Sequence, residues 1–265
     1  MIDFLLSLPL WALAVVLNVW LIGFALLSLW VLRRWIVPRL HISTDASLFL
    51  GAAVMQSAMV LYGLVAALTA VSVWTKHSQV SDTVSSEATA IAILWRDLGG
   101  YPQPERDSMR AVLRGYTEQI IQEAWPEQQQ GRIPRMGVEW LDRFQAQLLP
   151  FEPLSESQKI LHGRTLDAYN SLLEARRARL DAVNAGLPGV MWFVLLPGAM
   201  GCLLLSLFFP IADVRFQAVL MSGLAGFVAM VLFVIISLDR PFQGAMAIPA
   251  DSYQLIHDQL MTAGR

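Results

Sequence analysis

Residues 46–75 read ASLFLGAAVMQSAMVLYGLVAALTAVSVWT, without a single Lys, Arg, Asp or Glu. The hydrocarbon core of a bilayer is about 30 Å thick, and at about 1.5 Å of helical rise per residue roughly 20 apolar residues cross it. Backbone amides in hydrocarbon must bond within their own segment. The run shows no period-2 alternation, so it predicts a spanning helix rather than a barrel strand. Three further stretches are equally free of charge: 4–32, 182–212 and 216–238. The chain therefore reads as an all-α integral membrane protein with four transmembrane helices, at about 4–32, 46–75, 186–209 and 216–238.

Of the 40 charged residues, 28 fall within 76–181. This concentration predicts a helical soluble domain over 76–181, inserted between helices two and three. It separates a first transmembrane pair (1–75) from a second (182–240), with a C-terminal tail over 241–265. The domain's 13 basic and 15 acidic residues leave it at −2, which offers no basic field for nucleic acid. Cys202 is the only cysteine, so no disulfide forms within one chain. The first stretch has no basic start, and Arg33-Arg34 stands where a cleavage site would, so it reads as a retained helix rather than a signal peptide. No lipidation motif is visible at either end.

Punctuation fixes the helix ends. Arg33-Arg34-Trp35 is a basic and aromatic interface anchor, closed by Pro38. Thr44-Asp45 offers an N-cap for helix two, and Trp74 with Lys76 marks its membrane exit. No Gly or Pro follows until Gly99-Gly100. Val80, Val84, Ala88, Ile91, Leu94 or Trp95, and Leu98 recur at helical spacing, so the helix is predicted to continue as one rod over 46–98, about 80 Å long. After Pro102 and Pro104, the stripe Met109, Val112, Leu113, Tyr116, Ile120, Ile121 and Ala124 predicts an amphipathic helix ending at Trp125-Pro126. Residues 127–136 read as a polar loop and 137–149 as a short helix. Ser155-Glu156-Ser157-Gln158 is a capping box opening a helix toward Leu180. Gly186 and Pro188 break that helix from the next span, and Pro210 with Asp213 makes the turn between the last two.

The chemistry-bearing residues are sparse. His41, His77, His162 and His257 lack ligand spacing, and no phosphate loop, GxSxG elbow or GxGxxG fingerprint is present. Nothing calls for an enzyme, a metal or a cofactor. No ionisable group falls at a span centre, which argues against a proton-coupled pump. Asn18 and Gln56 fall near mid-membrane, where a polar group bonds a neighbouring helix or faces water. The helix of Gln56 is rich in small and polar residues: Gly51, Ser57, Tyr62, Gly63, Thr69 and Ser72. Small pairs at Ala53/Ser57, Gly63/Ala67, Gly198/Cys202 and Ser222/Gly226 permit close helix approach. Asp239-Arg240-Pro241-Phe242-Gln243-Gly244 reads as a membrane exit with an interface ion pair. Arg176, Arg177, Arg179 and Arg240 are candidates for holding an anion or a lipid headgroup, with snorkelling anchors as the plainer reading.

Several of these residues form a set. Glu87-Ala88, Tyr116, Trp125-Pro126, Arg176-Arg177-Ala178-Arg179-Leu180, Leu187-Pro188 with Trp192, and Asp239-Arg240-Pro241-Phe242 with Gly244 resemble the bacterial bestrophin-like family, over roughly 1–260. That family is a domain of unknown function distantly similar to the bestrophin anion channels. The resemblance implies a homo-oligomer, a pentamer in true bestrophins, whose second helix lines an axial pore and whose soluble helices form a vestibule. It makes Met55, Gln56, Met59, Tyr62 and Gly63 the pore-lining candidates. The aromatic i, i+4 neck of animal bestrophins is absent, and so is their acidic run after the last span, so calcium gating is not implied.

Orientation is contested by charge. Arg33, Arg34 and Arg39 beside helix one favour an outside soluble domain, whereas Lys76, Arg176, Arg177, Arg179 and Arg240 favour a cytoplasmic one, as the resemblance does. The expectation is a multi-pass protein of the bacterial inner membrane, soluble domain inward. It would partner itself, the lipid bilayer and small inorganic ions, and pass those ions, anions in preference. A non-conducting scaffold or signalling protein, with a partner on its soluble helices, is the alternative.

Overall fold

The structure, a computed structural model, describes residues 8–36, 45–207 and 213–262, with side chains for 8–35, 51–207 and 213–262. The elements are α1 (Leu10–Val31, prolonged by a π-helical turn Leu32–Ile36), α2 (Asp45–Asp97), α3 (Glu105–Gln119, then a π turn Ile120–Ala124), α4 (Trp125–Gln129), α5 (Val138–Leu148), α6 (Glu156–Ala182), α7 (Gly189–Ser206), α8 (Val214–Leu238) and α9 (Asp251–Ile256, then a π turn His257–Thr262). No strand occurs among the described residues. Four of these helices are long and apolar enough to cross a membrane: α1, the first part of α2, α7 and α8. The expected caps at Pro38, Thr44 and Pro210 lie outside the described residues.

Two compact units form. The first joins Met1–Lys76 with Gly186–Asp239. Here α1 and α8 pack through a seam of Leu13, Leu17, Leu21, Ala25 and Leu29 against Met221, Ala225, Val228, Ala229 and Leu232, all buried. Ala25, Ala225 and Ala229 are fully buried, and such small residues let apolar helices approach closely where lipid supplies no hydrophobic drive. Asn18 is settled within this seam. Its amide donates to the Ala14 carbonyl at 2.9 Å, and its oxygen lies 3.4 Å from where a Cβ would stand on Gly226. At the end of the seam, the Arg33 guanidinium donates through Nε to Gln217 Oε1 at 3.2 Å. Pro188 caps α7, which tolerates Pro197 within its body. Asp213 caps α8, its carboxylate accepting from the Arg215 amide at 2.8 Å.

The second unit joins His77–Ala185 with Arg240–Arg265, so the C-terminal stretch groups with the helical residues that precede the third span. The predicted stripes of α2 and α3 are its core, from Val80 to Leu98 and from Met109 to Ala124. The capping box forms: Ser155 Oγ accepts from the Gln158 amide at 3.2 Å, and Gln158 Oε1 accepts from the Ser155 amide at 3.3 Å. Trp125-Pro126 does not end the helical run as expected. Pro126 sits in the first turn of α4, where a missing N–H costs nothing, so helix resumes to Gln129 and the loop begins later.

Candidate functional site

Two places gather the residues marked in the sequence, one in each unit. In the helical unit, Glu87 of α2 is completely buried and its carboxylate accepts four hydrogen bonds. Arg179 of α6 donates from Nε to Oε2 at 2.6 Å and from Nη2 to Oε1 at 3.1 Å. Tyr116 of α3 donates to Oε1 at 2.8 Å, and Tyr253 of α9 donates to Oε2 at 3.1 Å. Such a two-pronged, charge-assisted pair satisfies most of what burial would otherwise leave unmet. Aromatic rings close the cluster. Trp125 stands edge-on to Phe242 at 5.5 Å and to Tyr253 at 5.4 Å, and the Arg179 guanidinium lies 5.9 Å from the Trp125 ring centre.

This arrangement corrects one expectation. The sequence groups Arg179 with Arg176 and Arg177 as a candidate for anions or headgroups, yet it is 2% exposed and spends its charge on Glu87. Burial works against its charge, but the Glu87 carboxylate outweighs that and holds the guanidinium above its ordinary value. Periodicity carried the signal. Val80, Val84, Glu87, Ile91, Leu94 and Leu98 share one stripe of α2, and Thr165, Tyr169, Leu172 and Arg179 share one stripe of α6, so each charge sits at an apolar position. Tyr253 carried no such mark. The cluster is sealed from solvent and offers no room for a substrate. It ties α2, α3, α6 and α9 into one body.

Burial and the nearby Glu87 charge push the Tyr116 and Tyr253 phenols well above their ordinary value of 10.0. A raised acid favours the neutral form in the folded chain. Its contribution is therefore full below pH 10 and lost as pH rises beyond it, where the unfolded phenols ionise and the folded ones do not. Melting temperature should hold steady from pH 8 to near 10 and then decline, and Tyr253→Phe should flatten that decline.

The second place lies on the membrane-spanning part of α2. Only 11% of its most apolar window is buried within the chain, against 39% for α8. Ala52, Met55, Gln56, Met59 and Val60 form an open depression on this uncovered side, with Gln56 exposed. Gly63 also faces open space. The Tyr62 ring packs across Gly198 of α7, 2.8 Å from where a Cβ would stand. Arg176 donates to the Met136 carbonyl at 3.1 Å and Arg177 is exposed, while Arg240 is half-buried. Asp239, expected to pair with Arg240, accepts from the Leu187 amide at 2.6 Å. The histidines are dispersed: His77 meets the Met246 carbonyl, His162 the Tyr101 hydroxyl, and His257 the carboxylates of Glu118 and Asp258; His41 lies outside the described residues.

Four membrane-length helices, a sealed ion pair in a helical unit and an uncovered polar-bearing helix define an all-α membrane protein. A description of the Bestrophin-like domain family matches residues 19–253, nearly the whole chain, and the protein belongs to that family. The same comparison against curated proteins and against solved structures finds no match.

Proposed function

We propose that copies of this chain assemble symmetrically with α2 toward the axis and pass small ions, anions in preference, along that axis. The observation that carries the reading is the exposed side of α2. Gln56 and Ser57 lie on it within a stretch that must sit in hydrocarbon, where an unmet polar side chain is costly. Ser57 satisfies its hydroxyl on the Ala53 carbonyl at 2.8 Å, but a glutamine amide asks for more. Water along an axis, or the same helix of another copy, removes the conflict. Family membership points the same way, since bestrophins are channels of this general plan, pentameric in the true bestrophins.

In this reading Met55 and Met59 form an apolar constriction, with Gln56 and Gly63 beside it, and Tyr62 serves packing rather than the pore. Selection would come from the cost of stripping water at the methionines, so that weakly hydrated anions pass more easily than sodium. Positive potential from arginines at the membrane exits would add to it. The helical insert between the second and third spans would face the cytoplasm of a bacterial cell, the protein lying in the inner membrane. An open groove lined by Asp82, Ser85, Ser86, Thr89 and Ser171 in the helical unit favours a second reading, a scaffold with a partner on its helices. Purified protein reconstituted into liposomes separates the two. The channel reading expects chloride flux well above sodium and potassium flux, and an intact oligomer that passes no ion supports the scaffold instead.

A further inference from the structure

The loop from Gln130 to Gly137, with Val138 opening α5 (QGRIPRMGV), holds two arginines and no acid. The sequence alone reads it as a polar connection, but its outward side chains are apolar as well as basic. Ile133 is 50% exposed, Met136 46% and Val138 47%, beside exposed Arg132 and Arg135. The loop is also built rather than slack. Gly131 and Gly137 bracket it with φ of 72° and 93°, conformations that favour glycine. Pro134 is buried beneath it, the Arg132 amide donates to the Glu127 carbonyl at 3.0 Å, and Arg176 clamps the Met136 carbonyl from α6. A fixed loop that points three apolar side chains and two cations outward is made to meet a surface, not to close a gap.

We propose that this loop, with Arg176 and Arg177 behind it, docks on the anionic headgroup surface of the bilayer, its apolar tips entering the interface. Three observations carry this. First, among the described residues none of the four arginines is held in an ion pair, although Glu139 and Glu174 are near in sequence. Second, alternating basic and apolar exposure is the chemistry that recognises phosphate headgroups above acyl chains. Third, Gly131 stands against the side-chain amide of Gln243, only five residues beyond Leu238, where the span α8 ends. Five residues reach at most about 18 Å, so the residue that touches the loop cannot stray far from a membrane exit. The docking needs the chain to be in a membrane and is independent of whether the assembly conducts.

Depth-dependent quenching tests this on the full chain. Ile133→Cys in a Cys202→Ser background carries a polarity-sensitive fluorophore, and the protein is reconstituted into vesicles of phosphatidylcholine alone or with phosphatidylglycerol. Lipids brominated on their chains should quench the label in the phosphatidylglycerol vesicles, and aqueous iodide should not. Each arginine near an anionic surface is worth about fivefold in partitioning, so Arg132→Gln with Arg135→Gln should weaken the brominated-lipid quenching severalfold, as should high salt. The unmodified protein gives an independent reading, because hydrogen exchange over Gln130–Val138 should slow in nanodiscs when phosphatidylglycerol is added. Quenching by iodide alone overturns the proposal by placing the loop in water. Protection from both quenchers overturns it in favour of a protein contact, and equal lipid quenching with and without phosphatidylglycerol removes the headgroup recognition.

Discussion

Replacing Glu87 by glutamine is expected to destabilise the helical unit by about 3–5 kcal/mol, a large share of what a domain of this size holds in reserve. Arg179 would keep its charge at 2% exposure and lose the carboxylate that takes both of its bonds. The hydroxyls of Tyr116 and Tyr253 would then meet an amide that accepts at one atom only. Thermal and chemical unfolding of the detergent-solubilised protein, followed by Trp fluorescence and helical circular dichroism, reads the loss. Removing both charges together, as Glu87→Gln with Arg179→Met, should recover much of the stability, since an apolar replacement of a buried pair is often neutral or better. A single variant that melts within a degree or two of the parent would show that the pair is not what holds α2, α3, α6 and α9 together.

Met59→Ala is expected to raise ion flux severalfold in liposomes without changing assembly. If Met55 and Met59 narrow the path, shortening one of them widens it and shortens the dry segment an ion must cross. Met59 is half-buried on the open depression of α2, so its truncation removes little from the packed seam of α1 and α8 and should leave folding intact. Larger flux with weaker preference among anions would place Met59 at the constriction. Unchanged flux in a normally assembled variant would remove it from the path.

The sequence carried the membrane plan well because hydrocarbon tolerates so few solutions. A charge-free run of this length must be a helix, and the α2 rod could be followed past the bilayer because no Gly or Pro interrupts it before Gly99. The buried ion pair was harder to see. Glu87 and Arg179 stand 92 residues apart and Tyr253 is 166 from Glu87, so no local pattern joins them. Arg179 also follows Arg176 and Arg177 at a membrane exit, which makes it look like a solvated anchor. The phase of the apolar stripes held the correction, because both charges fall where a Leu or Val would be expected. Spacing of i, i+4, i+7 puts Tyr62 on a face with Met55 and Met59, but only the fold reveals that Gly198 leaves room for its ring. Pro126 reads as a stop in the sequence because its place in a first helical turn depends on a helix that begins immediately before it.

The exposed side of α2 is the part of the account on which function rests, and a cysteine at Gln56 tests it most directly. Gln56→Cys in a Cys202→Ser background, reconstituted in liposomes, is treated with a charged, water-soluble thiol reagent while chloride flux is followed. An aqueous path lined by α2 predicts rapid modification at mid-membrane and a clear fall in flux as the bulky group enters the pore. A thiol that reacts only with lipid-soluble reagents, with flux unchanged, would place this face of α2 against lipid or another helix and contradict the channel.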